Sequence, residues 1–154
     1  GEDIMLTFRD MTLQDRDIVL PMVDEFYHSD AVDHPASPEV KERSFLAAAD
    51  PEEPLLRGVL IYDEGEVAGY LYVTQCYSAE VGGRCIFIEE IFVAQAFRGR
   101  GVGRAVLDWL EEQYPDARRF RLEVTQVNQG AVRLYQRMGY QYLRYDQMVL
   151  DKKK

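Results

Sequence analysis

The stretch from Ile86 to Gly103 reads Ile-Phe-Ile-Glu-Glu-Ile-Phe-Val-Ala-Gln-Ala-Phe-Arg-Gly-Arg-Gly-Val-Gly and leaves few folds open. An apolar run rich in β-branched and aromatic residues, of strand length, breaks between Ala94 and Phe97. Glycines at 99, 101 and 103 follow, and a helical pattern starts at once. Alternate glycines let backbone N–H groups turn toward one point. The helix adds its unpaired first-turn donors and the positive end of its dipole. Strand, anion-cradling loop and helix in that order suit a phosphate or pyrophosphate.

The rest of the chain supplies layers for this unit. Ile4 to Arg9 alternates as a first strand. Thr12 with Asp15 and the spacing Ile18, Met22, Phe26 predict a capped amphipathic helix. Ser37 and Pro38 start a second helix that runs to about Ala49. Leu55–Tyr62 and Val67–Tyr77 read as strands joined by the turn residues Asp63 to Glu66, and Val81 to Gly83 turn the chain into a third, Arg84–Val93. Three strands with tight turns predict an antiparallel meander. The helix after the glycines carries Val102, Val106, Trp109 and Leu110 and stops before Pro115. Phe120–Val124 is a further strand and Asn128 caps a last helix. Ala131, Leu134, Tyr135 and Met138 form its stripe, and Gly139 is its left-handed stop. Tyr140–Leu150 supplies one or two closing strands. A right-handed crossover places the Phe120 strand parallel to the central one. The expectation is a single α/β domain over 1–154, a mostly antiparallel mixed sheet of six to seven strands with about four helices on its faces.

The formal net charge of −9 disfavours a nucleic-acid partner, because phosphate contacts need a basic face; a cationic substrate fits better. Cys76 and Cys85 are too few for a disulfide framework, and two reduced thiols are expected, although they flank a hairpin and could face each other. His28 and His34 are too isolated to form a metal pair, so no metal is expected. No apolar run approaches the roughly 18 residues of a membrane span. A soluble, cytoplasmic protein without a membrane partner is expected.

Two known glycine loops fail against this one. The dinucleotide fingerprint requires Gly or Ala where Arg104 or Val106 stands, and the Walker loop requires a Gly-Lys-Ser/Thr ending that is absent. Arg98, Arg100 and Arg104 surround the glycines with positive charge. Arg98-Gly99-Arg100-Gly101-Val102-Gly103 instead resembles the Arg-x-x-Gly-x-Gly signature of the GNAT (GCN5-related) N-acetyltransferases. Asn128-Gln-Gly-Ala131-Val-Arg-Leu134-Tyr135-Gln-Arg-Met138-Gly139-Tyr140 resembles that family's second motif, with tyrosine replacing its last phenylalanine. With the element order, the resemblance covers Ile4 to about Leu150.

The resemblance implies acetyl-CoA as co-substrate, with the amides of Arg98, Gly99, Arg100, Gly101, Val102, Gly103 and Arg104 on its pyrophosphate. It implies that the strand end at Ile91, Phe92 and Val93 splays from its neighbour to pair with the pantetheine, a Val93 amide facing the thioester oxygen. Asn128 and Ala131 fall among the cofactor contacts, and Tyr135 falls beside the thioester sulfur as proton donor to the leaving thiolate. On residue pattern alone, Tyr135 also fits a core stripe. Homodimers are common in the family.

Glu89 and Glu90 interrupt the apolar strand. Neighbouring strand residues point to opposite faces, so one carboxylate at most enters a given cleft unless a bulge re-aims them. Neighbouring arginine or backbone donors could instead satisfy them. An amine of pKa about 10.4 sheds a proton at pH 7 at a cost of about 4.6 kcal/mol, and a carboxylate beside the cleft can attract the ammonium and accept that proton. Phe87 to Val93 is similar to the tract of the diamine acetyltransferases, which makes Glu89 the base and Glu90 the second candidate. Tyr27, Asp30, Asp33, Tyr70 and Tyr72 could hold a cationic amine, with Tyr27, Glu89 and Tyr72 the leading substrate contacts. The expected activity is acetyl transfer to a small, polyamine-like amine. Acetylation of a protein lysine or N-terminus, and a non-catalytic acyl-CoA-binding module, stay open.

Overall fold

The computed structural model describes residues 5–152; Ile4, Lys153 and Lys154 lie outside the described residues. The chain order is β1 (Leu6–Asp10), α1 (Arg16–Tyr27), α2 (Pro38–Ala48), β2 (Leu56–Asp63), β3 (Glu66–Ser78), β4 (Gly83–Val93), α3 (Val102–Gln113), β5 (Arg119–Leu122) and α4 (Gln129–Arg137). Short 3-10 turns precede α1 (Leu13–Asp15) and follow β4 (Gln95–Phe97). The sheet runs β1-β2-β3-β4-β5, antiparallel throughout except for the parallel β4–β5 pair. No described helix is long and apolar enough to cross a membrane.

Local chemistry sets the element ends. Asp15 accepts from the Thr12 amide at 2.8 Å and from both Arg9 guanidinium nitrogens, pinning the start of α1. Ser37 Oγ accepts from the Val40 amide at 3.2 Å, with Pro38 at the first helical position. Gly139, at φ +97°, closes α4, and the Tyr140 amide reaches back to the Tyr135 carbonyl at 2.9 Å.

Two apolar layers enclose the sheet. Val19, Val23 and Phe26 of α1 and Phe45 of α2 pack on Leu60, Tyr70, Tyr72 and Phe92. Val106, Leu107 and Leu110 of α3 pack on Val59, Ile61, Leu71, Val73, Ile86 and Ile88. The α1 stripe is one residue off the expected Ile18 and Met22; Ile18 is 42% exposed. The expected closing strands over Tyr140–Leu150 do not form, so the sheet has five described strands rather than six or seven. Tyr142, Met148, Val149 and Leu150 are exposed there. Strand preference is largely fit to a half-buried pleated surface, and this segment has no neighbouring ladder to supply one.

Candidate active site

The site grows from one irregularity in β4. Ile86 and Ile88 lie in the α3 layer, yet Phe92, also at an even position, lies in the α1/α2 layer. Strict alternation would keep all three on one face. The reversal comes from an extra residue: Tyr72 is opposite Glu90 and Val73 opposite Ile88, so Glu89 has no partner on β3. This β-bulge brings Glu89 and Glu90 to the same side, the α1/α2 side, where alternation alone would have separated them.

Glu90 is gripped there. Tyr27 donates its hydroxyl to Oε2 at 2.7 Å, and Tyr70 donates to Oε1 at 2.7 Å. Burial pushes the Glu90 carboxyl above its usual range; the two phenol bonds and the nearby Lys41 ammonium pull in the opposite direction. Both phenols are pushed far above the usual tyrosine value, first by burial and then by the carboxylate they face. Glu89 is more open and also raised, by burial first and then by Glu123 and Glu90 as like charges. Tyr72 completes the group. It is 2% exposed, its ring centroid is 5.1 Å from that of Tyr70, and its hydroxyl has no hydrogen-bond partner. Lys41 packs at 5.5 Å over the Tyr27 ring and bonds Asp24 at 2.8 Å.

Beyond the bulge, β4 has a free edge. β5 pairs only with Cys85 to Ile88, so the stretch from Glu89 to Val93 has no partner on that side. The Ala94 amide bonds Ala68 on β3 at 2.7 Å. Successive residues of a strand direct their backbone groups to opposite edges, so the N–H and C=O of Val93 and Ile91 face the gap. Arg98 takes the Val93 carbonyl at 2.8 Å and stacks over Phe92, which leaves the Val93 amide as the donor at the end of the gap.

The loop below the gap divides its work differently from the expectation. Gly99 and Gly101 take φ of +75° and +82° and make the turn. Gly103 is already in α3, and its missing side chain leaves room for Leu134 of α4, whose Cδ2 would lie 2.9 Å from an added Cβ. The first backbone bond of α3 runs from the Ala105 amide to the Gly101 carbonyl at 3.1 Å, so the amides of Val102, Gly103 and Arg104 are its outward-facing donors. Of the three arginines, only Arg104 makes no ion pair or hydrogen bond among the described residues: Arg98 is folded onto β4, and Arg100 approaches Asp63 Oδ2 at 3.2 Å without hydrogen-bond alignment. Asp63 is 2% exposed, a buried counter-charge beneath the loop. Its sequence position reads as a turn, and the signal for its burial is its place as the last residue of an apolar strand.

Tyr135 and the carboxylates occupy different layers. Tyr135 packs with α3 and lines a cavity of about 820 Å3 bounded by β5, α4 and the C-terminal segment; Glu89 and Glu90 do not line it. Glu123 both lines that cavity and acts on Glu89, and the β4–β5 gap connects the two sides. Burial pushes the Tyr135 hydroxyl up to about 12. Asn128 stands at the α4 N-cap without capping it by its side chain, contrary to expectation; Ala131 is in the first turn of α4, half-buried. Asp30 contributes its carbonyl to Thr125 Oγ1. No group of His, Cys, Asp and Glu among the described residues could hold a metal.

Residues 20–140 match the family profile described as the acetyltransferase (GNAT) family. Streptothricin acetyltransferase of Streptomyces lavendulae is 36% identical over 92 residues, 57% of this chain and 46% of that protein. Spermine/spermidine N(1)-acetyltransferase of Bacillus subtilis (strain 168) is 28% identical over 88 residues, 53% of this chain and 57% of that protein. The chain thus spans about half the length of these curated relatives. An aminoglycoside N-acetyltransferase solved with CoA superposes with a TM-score of 0.71 at 13% identity, over 100% of this chain and 98% of that one, which shows the shared fold.

Proposed function

Because the chain belongs to the acetyltransferase (GNAT) family, we propose that it transfers an acetyl group from acetyl-CoA to a primary amine of a small, polyamine-like molecule by direct attack in a ternary complex. The observation that carries this reading is the bulge at Glu89, which sets two carboxylates with raised pKa, the buried Tyr70 and Tyr72 and the half-buried Tyr27 beside the unpaired edge of β4. The polyamine relative, similar over half this chain, supports a cationic acceptor.

Acetyl-CoA supplies an activated acyl thioester. The free donors of Val102, Gly103 and Arg104 and the Arg104 side chain hold its pyrophosphate, and the open edge at Ile91 and Val93 pairs with its arm. Asn128, free of capping duty, reaches the same arm. Glu90, its geometry fixed by Tyr27 and Tyr70, attracts the acceptor ammonium, and the unpaired Tyr72 hydroxyl bonds an acceptor polar group. Glu89, which makes no phenol bond, accepts the proton the amine sheds. The Val93 amide donates to the thioester oxygen. Tyr135 lends its proton to the departing sulfur. Against a thiol of about 8.5, a phenol near 12 makes the proton transfer uphill by about 5 kcal/mol, so the transfer accompanies bond cleavage rather than preceding it.

The test is release of free CoA on mixing the chain with acetyl-CoA and a panel of polyamines, aminoglycosides and lysine peptides. Turnover with polyamines supports the reading. Turnover only with peptides points to a protein acceptor, and heat protection by acetyl-CoA without any CoA release points to a binding module. A homodimer belongs to the same proposal, supported by the open edge of β5 and by exposed Tyr142, Met148 and Leu150 in the C-terminal segment. Sedimentation at equilibrium tests it.

A further inference from the structure

Cys76 and Cys85 are directly opposed on β3 and β4, the third pair from the turn that joins Ser78 to Gly83. Opposed residues in an antiparallel ladder share a face, with Cα atoms about 4.5–5.5 Å apart, inside the range that a disulfide spans. Cys76 lies close enough to help push the Cys85 thiol up, after burial. Their exposures differ sharply, Cys85 being 1% exposed and Cys76 open to solvent. The pair sits on the face that carries Phe87 and Glu89, where Arg119 and Arg121 of β5 act on Cys85. Acetyl transfer uses neither thiol.

We propose that Cys76 and Cys85 form a thiol–disulfide exchange site whose co-reactant is a low-molecular-weight disulfide of the glutathione type. The accessible Cys76, as thiolate, attacks one sulfur of the small disulfide and expels the other half as a thiolate, giving a mixed disulfide on Cys76. Cys85 then loses its proton and attacks Cys76 Sγ, forming the cross-strand disulfide and expelling the second half. Two protein thiols are oxidised, one disulfide is reduced to two small thiols, and the two protons pass to those leaving thiolates. Closure requires the side chains to draw together by a fraction of the usual cross-strand Cβ separation of about 4.5–5.5 Å, and the nearby turn leaves the strand ends free to adjust. Cys85 has no path of its own to a bulky disulfide, so the order of steps is set by burial.

The experiment treats the native, reduced chain with oxidised glutathione at neutral pH, alkylates the remaining thiols and measures the intact mass. The expected result is loss of two hydrogen atoms, with no alkylation, no retained glutathione and no covalent dimer. Cys85→Ser should stop at one glutathione on Cys76, and Cys76→Ser should leave Cys85 unmodified while the chain stays folded by circular dichroism. A parent protein that keeps glutathione on Cys76 without closing overturns the proposal. So does one that forms intermolecular disulfides, or one in which Cys76→Ser reacts as fast as the parent.

Discussion

Replacing Gly69 by Ala tests whether the register around the site is fixed by backbone contact. Gly69 pairs with Val93, and a Cβ there would overlap the Phe92 carbonyl oxygen and lie 3.0 Å from its carbon and 3.2 Å from Val93 Cα. The obstacle is backbone, so no rotamer change relieves it; β3 and β4 must move apart next to the Ala94–Ala68 bond and the open edge. Overpacking costs about 1–3 kcal/mol, and a backbone obstacle puts Gly69→Ala at the upper end, about 3 kcal/mol. For a chain of this size that lowers Tm by roughly 6–12 °C. Gly65→Ala is the control. Its φ is +83° with open space around it, so it carries only a left-handed backbone cost of about 1–2 kcal/mol, and it lies away from the gap. The assay is thermal and urea unfolding with and without acetyl-CoA. Gly69→Ala should lose more stability than Gly65→Ala and also lose most of the ligand-induced Tm gain. A Gly69→Ala protein within about 0.5 kcal/mol of the parent, with ligand protection intact, refutes the reasoning, since that is the range of a change at an unconstrained surface position.

The tyrosines around Glu90 make a paired prediction. Tyr70→Phe strips a buried carboxylate oxygen of its donor and should cost about 1–3 kcal/mol in urea unfolding, whereas Tyr72→Phe removes a hydroxyl with no partner and should be neutral or stabilising while raising the acceptor KM. Asp15→Asn removes the charge and turns one of the two acceptor oxygens into a donor, so both Arg9 bonds and the Thr12 amide can no longer be satisfied together, at a similar cost of about 1–3 kcal/mol above pH 5. Arg9 holds the Asp15 carboxyl below its ordinary value, so its contribution is present above the unfolded pKa and fades as pH falls through the folded one; parent and variant stabilities should converge in acid. Glu89 has the opposite sign. Its carboxyl is raised, so the parent loses stability as pH climbs from the ordinary carboxylate range through that raised value, and Glu89→Gln should be the more stable protein at pH 7.

Most of the frame was legible because it follows from local pattern: turn residues, apolar periodicity and caps placed four helices and five strands within a residue or two. The bulge was not. One extra residue in a ladder is a property of pairing, and β4 reads the same with or without it; only the opposition of Tyr72 to Glu90 reveals that both carboxylates share a face. Gly103 continues an alternation that reads as loop chemistry, and its missing side chain also admits Leu134 across two helices, a relation that local spacing does not encode. Asp63 hid for a related reason: an acidic residue before Glu-Gly is an ordinary turn signal, and its burial and its approach by Arg100 are tertiary relations. The tail from Tyr140 carries a strand's composition without a strand's partner. The cysteine register was the easier case, since a hairpin between them limits the pairings to a few.

The central claim, that the bulge presents Glu89 as proton acceptor and Glu90 as ammonium anchor, is tested most directly by steady-state acetyl transfer to the best polyamine acceptor from pH 6 to 9. Glu89→Gln should lower kcat about 10²- to 10⁴-fold with little change in acceptor KM, and Glu90→Gln should mainly raise that KM. A Glu89→Gln enzyme that keeps the parent's kcat and pH profile contradicts the account.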